Sequence, residues 1–303
     1  MSGEADDYDE FGFLADNAAE AGLTLSALPP VSRTSFTLAD GPTVSALAWG
    51  DARPELVLLH GGGQNAHTWD SLALALRRPL LAVDLPGHGH SGRRPDRDYG
   101  PWRNAEAVAV VIERAAPAAR AVVGMSLGGS TLIRLAATRP DLVRRAVIVD
   151  VTPNSGIRSR ALAPAERGAV ALVSGPPVYD SFEAMAAAAV AASPSRPRPA
   201  VERGVRHNAR RLPDGRWTWR YDLFGERPAV VGDHTGLWAD VSGITVPVLL
   251  VTGADSRFTV AEDVAEFRRR LPAARVEVVP GAGHAVQSDQ PVALARLIED
   301  FIL

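Results

Sequence analysis

The chain has no cysteine and no lysine. Without cysteine there is no disulfide, no thiolate metal site and no cysteine nucleophile, and the redox compartment is left open. Without lysine, Schiff-base chemistry is excluded, and all 32 basic residues are arginines. A phosphate loop needing Gly-Lys-Ser/Thr is excluded on the same ground. Excess positive charge is also missing: the formal net charge is −3, so no basic surface argues for nucleic acid or anionic membrane. No apolar run reaches about 18 residues, so no membrane span is expected. The start is acidic, with Glu4, Asp6, Asp7, Asp9 and Glu10. That is the opposite of a signal peptide's basic start, and a cytoplasmic location is expected. No Gly-x-Gly-x-x-Gly opens a helix after a strand, so no dinucleotide cofactor is expected, nor any other.

What is present is ordinary for a globular protein: 303 residues, 46% hydrophobic and 22% charged, enough for one large domain or two small ones. Residues 1–30 read as an N-terminal arm, with a short amphipathic helix over Phe11 to Leu23 ended by Leu28-Pro29-Pro30. Two strands, Thr34 to Leu38 and Val44 to Trp49, flank a turn at Ala39-Asp40-Gly41-Pro42. From Glu55 the pattern is strand, loop, helix. Strands are expected at 55–59, 80–83, 121–123, 145–149, 246–251 and 275–279, and helices at 68–76, 103–115, 127–138, 262–271 and 292–302. Short continuous apolar strands alternating with helices predict a mostly parallel, eight-stranded sheet covered on both faces. The core is assigned to 31–150 and 242–303. Residues 151–241 break the rhythm, with helical patterns at 160–173, 181–192 and 199–211, and read as a helical lid insertion.

The chemistry centres on Gly124-Met125-Ser126-Leu127-Gly128-Gly129. This is G-x-S-x-G between a strand and a helix, the context a nucleophile elbow requires. The serine must sit in a sharp turn, with small neighbours because strand and helix backbones pass close there. The pattern alone is also compatible with an idle glycine-rich turn, so its companions decide. His60-Gly61-Gly62-Gly63 ends a strand and is the loop type that supplies a second oxyanion donor; the amides of Gly62 and Leu127 are the expected pair.

A serine nucleophile needs a base and a carboxylate to orient it, in the order Ser, Asp/Glu, His for this architecture. His284, just past the last strand in Pro280-Gly281-Ala282-Gly283, is the candidate base. His67, His207 and His234 fall in helix or insertion. His88 and His90 flank Gly89 with no third ligand at useful spacing, so no metal site is expected. Two acids compete. Asp150 ends the strand after the elbow, and Asp255 follows the next one. The acid usually stands three residues after the glycine of Gly253-Ala254-Asp255-Ser256, where this chain has Ser256. Asp150 is therefore preferred, with Asp255 as the alternative. Asp84 and the loop to Ser91 read as structural, shaping the rim. Trp217, Trp219 and Tyr221 alternate with polar residues; they could line an acyl pocket or simply pack the insertion.

Together, His60 to Gly63, Asp84 to Ser91, Gly124 to Gly129 and Gly281 to His284 resemble the α/β-hydrolase superfamily over nearly the whole chain after residue 32. More narrowly, His60 to Trp69, Asp150 to Pro153, Arg206-His207-Asn208, Arg216 to Tyr221 and His284 to Pro291 resemble a group of actinobacterial serine esterases, typified by a mycobacterial enzyme. That resemblance implies a carboxylesterase for small ester substrates, perhydrolysis or lactone and carbon–carbon cleavage being other uses of the same triad. It further implies short acyl chains, a helical lid and the acid on the strand after the elbow, at Asp150. A non-catalytic binder on this fold is the rival class, and retention of Ser126, His284 and both glycine loops speaks against it.

Overall fold

The computed structural model describes residues 8–167, 176–194, 196–222 and 233–303. Helix α1 (Leu14–Glu20) leads into the antiparallel pair β1 (Val31–Thr37) and β2 (Thr43–Trp49). Then come β3 (Leu56–Leu59), α2 (Asp70–Leu76), β4 (Leu80–Val83), α3 (Pro101–Ala115), β5 (Ala121–Met125), α4 (Leu127–Thr138) and β6 (Ala146–Val149). The insertion carries α5 (Ser155–Ala161), α6 (Pro164–Arg167), β7 (Val178–Tyr179), α7 (Phe182–Ala191), α8 (Arg198–Asn208), β8 (Ala209–Arg211), β9 (Trp217–Trp219) and α9 (Leu237–Gly243). The chain closes with β10 (Val248–Gly253), α10 (Ala261–Arg270), β11 (Arg275–Val279), α11 (Val286–Asp289) and α12 (Pro291–Ile302).

Eight strands form one sheet in the order β1-β2-β4-β3-β5-β6-β10-β11. β2 runs antiparallel to both neighbours, and every pairing from β4 to β11 is parallel. All four residues of β3 are buried, yet they alternate between two cores: Val57 and Leu59 face α3 and α4, while Leu56 and Leu58 face α2 and α12. Burial on both faces is why the strands read as unbroken apolar runs rather than as alternation. From β3 the chain winds one way to β4 and then returns to the other side for β5. That reversal is a topological switch point, and a crevice opens beyond the carboxyl ends of the strands flanking it. His60 and Ser126 leave the sheet there.

The insertion departs from the expectation of a purely helical lid. β7, β9 and β8 form a small antiparallel sheet, closed by its own core of Tyr179, Met185, Ala189, Val201, Val205 and Trp219. The helical pattern expected to Arg211 stops at Asn208, and Ala209 is extended (φ −100°, ψ 150°). Arginine-rich 209–211 has good helix propensity, but cross-strand pairing with Trp217–Trp219 overrides it. The helix expected over 160–173 is two short helices, and 168–173 lie outside the described residues. The boundary placed at 241 cuts through α9. Leu237 and Val241, one turn apart, bury against α4 in the main core, so α9 packs with the core.

The arm is docked from residue 8 onward. Leu14 and Ala18 bury into the α2 side of the core, Glu10 pairs with Arg33, and Glu20 pairs with Arg203 of α8. No described helix is long and apolar enough to cross a membrane.

Candidate active site

β5 runs into α4 through one residue, Ser126, at φ 51° and ψ −115°. Residues with a Cβ rarely occupy this region, at a cost of about 1–3 kcal/mol that the surroundings must offset. The surrounding glycines show how tightly the turn is held. A Cβ on Gly128 would lie 2.1 Å from Leu59 O, and one on Gly124 would lie 2.4 Å from Gly128 O. β3, β5 and α4 therefore meet backbone to backbone, and Gly128 N donates to His60 O (3.0 Å). Ser126 itself stays partly exposed.

Asp150 follows β6 in a left-handed conformation (φ 48°) and is fully buried. Its amide donates to Val251 O (2.7 Å), which locks it beside β10. The carboxylate accepts three bonds: from His284 Nδ1 to Oδ2 (2.7 Å), from Ser256 Oγ to Oδ2 (2.5 Å) and from Gly253 N to Oδ1 (3.1 Å). With Nδ1 facing a carboxylate, the imidazole proton belongs on Nδ1, and Nε2 keeps its lone pair. The ring stacks on Phe258 at 4.0 Å and 17°, and a Cβ on Gly253 would meet Gly283 O at 2.2 Å, so the histidine loop lies directly on the end of β10. Asp255 is exposed, and among the described residues only its amide is engaged, to Ala282 O (2.9 Å). Of the two sequence candidates, Asp150 is the one paired with His284. The missed residue is Ser256. At the position where an acid was sought, a hydroxyl donates to the acid on the neighbouring strand.

Gly62 faces the start of α4: a Cβ there would meet only Leu127, at 3.9 Å or more. Among the described residues, neither the Gly62 nor the Leu127 amide donates to an internal acceptor. The loop is held from three sides. Gln64 Oε1 accepts from Gly61 N (3.0 Å). His60 Nε2 accepts from Leu85 N (2.8 Å), and burial, opposed by Asp84, lowers the His60 pKa, so it is a neutral strut. From the insertion, Asn208 Nδ2 donates to Gly63 O (2.5 Å), and Asn65 Nδ2 donates to His207 O (2.9 Å). The Arg206-His207-Asn208 stretch is thus a clamp on the glycine loop, a role its sequence alone did not disclose.

Asp84 accepts from Ala66 N (2.7 Å), His90 N (3.0 Å) and Arg33 Nη1 (2.7 Å). Burial would raise its pKa, but Arg33 and these bonds lower it, so it stays an ionised anchor under the rim. Trp219 and Tyr221 are buried and stacked on each other at 5.8 Å, and Trp217 packs edge-on to Phe182. All three belong to the core of the insertion.

One buried cluster among the described residues has metal-like spacing: the donor atoms of His67, Asp70 and His207 lie within 4.8 Å of one another. The two imidazoles, however, stack at 3.8 Å and 9°. A metal lies in the plane of each ligating ring, so parallel stacked rings cannot share one. His67 also spends Nδ1 on Asp70 (3.0 Å) and Nε2 on Glu10 (3.1 Å). Burial disfavours its charge, but the two carboxylates push its pKa up to about 9. The group is a buried histidine–carboxylate network tying the arm to α2 and α8.

Residues 56–297 match the profile of the alpha/beta hydrolase family. The chain belongs to that family. Among alpha/beta hydrolases it is 48% identical to esterase Rv0045c of Mycobacterium tuberculosis over 96% of this chain and 94% of that one. A crystal structure of that esterase superposes with a TM-score of 0.85, at 47% identity over 97% and 98% of the two chains. The 2-(acetamidomethylene)succinate hydrolase of Mesorhizobium japonicum is 31% identical over 82% of this chain and 88% of that one. In this family setting, Ser126 stands past the carboxyl end of β5 beside the switch point, and Asp150, past the end of the neighbouring β6, is paired with His284.

Proposed function

We propose that this alpha/beta hydrolase cleaves carboxylic esters through an acyl-Ser126 intermediate. The observation that carries the reading is the 2.7 Å bond from His284 Nδ1 to buried Asp150, on a chain whose strained elbow presents Ser126. His284 Nε2 takes the hydroxyl proton as Oγ attacks the carbonyl carbon. The amides of Gly62 and Leu127 receive the oxyanion, and His284 then protonates the departing alcohol. Water then attacks the acyl carbon while giving a proton to His284 Nε2, the same amides hold the second oxyanion, and His284 returns the proton to Ser126 Oγ as the acyl–oxygen bond breaks and the acid leaves. Asp150 fixes the tautomer and offsets the imidazolium charge. The esterase relative at 48% identity supports ester substrates. A lid role for the insertion is supported by its bonds to loops at the strand ends, from Asn208 to Gly63 and from Asp222 N to Gly87 O (2.7 Å).

The test is a p-nitrophenyl ester series of increasing acyl length, beside labelling with a fluorophosphonate probe. Hydrolysis should be fastest with short acyl groups, and the label should map to Ser126. A folded protein that neither turns over any ester nor reacts with the probe would reject the reading in favour of a binding role.

Ser256 adds a finer expectation. Ser256→Ala leaves Asp150 with two donors instead of three. Losing one hydrogen bond to a charged group costs about 1.5–3 kcal/mol in that interaction, part of which water recovers at this partly exposed position. A drop of about tenfold in kcat with KM little changed is expected, read by steady-state kinetics on one short ester.

A further inference from the structure

A cavity of about 270 Å³ lies where the β4–α3 loop meets the insertion. Among the described residues, three guanidinium groups line it, from Arg93, Arg210 and Arg220, together with Ser91, Gly89 and one carboxylate, Asp222. The origin of the crowding is visible in the β8/β9 register. Arg210 stands opposite Thr218, and Arg220 N donates to Asn208 O one step along (2.7 Å). Alternation along both strands sends Ala209 and Trp219 into the core of the insertion. It leaves Arg210 and Arg220 as diagonal neighbours on the other face. Arg220 Nε donates to Ala209 O (2.9 Å).

Asp222 has both carboxylate oxygens engaged. Its Oδ2 accepts from Tyr99 OH (2.6 Å), and its Oδ1 is shared between Arg93 (3.4 Å) and Arg97 (3.6 Å). Arg210 has no ion pair and no side-chain hydrogen bond among the described residues. Partial burial, then Arg93 and Arg220, lower its pKa. In a chain of net charge −3, the described residues set three guanidinium groups and one carboxylate around this open space, and the planar guanidinium forks match oxyanions.

We propose that this cavity is an anion-binding subsite that takes the phosphate or carboxylate group of a small molecule, with Arg210 as its principal contact and Arg93 and Arg220 beside it. The group is either a charged tail of the ester substrate or a separate small anion, and the two sources can be told apart.

Inorganic phosphate and pyrophosphate are titrated into the full chain at constant ionic strength, with binding read by calorimetry and by thermal shift. Saturable binding is expected in the wild type. It should weaken about tenfold in Arg210→Gln, the effect of losing one charge-assisted contact. Arg93→Gln, on a different element, provides the same readout should the hairpin variant fold poorly. Turnover of neutral p-nitrophenyl acetate should be unchanged in both. In a second arm, KM is compared for a dicarboxylic acid monomethyl ester and its neutral dimethyl counterpart. A selective rise for the charged ester in Arg210→Gln assigns the anion to the substrate; equal KM values with phosphate binding retained in the wild type assign it to a separate molecule. No saturable binding by the wild type, or binding that neither variant weakens, overturns the proposal. Only the KM arm rests on the ester-hydrolase reading, so the subsite and the activity can fail independently.

Discussion

Asp150→Asn is expected to lower kcat by about ten-thousand-fold, and Asp255→Asn by less than about twofold. The asymmetry follows from counting acceptors. Asp150 offers two oxygens to three donors: His284 Nδ1, Ser256 Oγ and Gly253 N. Asparagine keeps one oxygen and replaces the other with an N–H₂ group. The Gly253 amide is fixed backbone at the end of β10 and claims the oxygen on its side. The amide nitrogen then faces His284 and Ser256. A hydroxyl can rotate to accept, but the imidazole must move its proton from Nδ1 to Nε2. That puts hydrogen on the atom that has to receive the serine proton. Asp255, exposed and among the described residues bonded only through its amide, imposes no such constraint. Steady-state kinetics on a short p-nitrophenyl ester, with circular dichroism to establish that both variants fold, decides the matter. A collapse of activity in Asp255→Asn with Asp150→Asn near wild type would move the acid to the β10 loop and leave the fold untouched.

The same residues show what could be read without coordinates. β4 was legible residue for residue, because Leu80–Val83 is an apolar run bounded by Pro79 and Asp84. The elbow was legible because close backbone approach leaves only glycine at 124 and 128, and such glycines stand out in any sequence. The pairing of Asp150 with His284 could be preferred but not decided, since it depends on which strand ends beside the histidine loop. What escaped depends on partners outside the element itself, from the next strand of a hairpin to the far end of the chain. β8 reads as the end of a helix until Trp217–Trp219 arrives to pair with it. Ser256 is an ordinary loop serine until β6 brings Asp150 to its hydroxyl. The docking of the arm was not legible, because nothing local shows that Tyr8 OH meets His207 Nδ1 at 2.7 Å or that Glu10 meets His67. Propensity and punctuation mark elements and turns; they do not mark contacts across some 200 positions.

Ser126→Ala and Ser126→Gly should both abolish turnover, by at least about ten-thousand-fold, and yet differ in stability. Neither carries an oxygen to form the acyl intermediate, and the oxyanion amides alone sustain only residual catalysis. The backbone at 126, however, sits at φ 51° and ψ −115°. Alanine keeps the Cβ and so keeps the strain, about 1–3 kcal/mol. Glycine releases the strain but adds unfolded-state freedom worth about 0.5–1 kcal/mol against folding. The balance favours Ser126→Gly over Ser126→Ala by up to about 2 kcal/mol. In urea titrations this appears as a higher midpoint at unchanged slope. If alanine is instead the more stable of the two by about 1 kcal/mol, the ordinary glycine penalty, the elbow stores no strain. Ser126 would then occupy a relaxed turn, and the reason for its flanking glycines would reduce to the packing of β3 against α4 alone.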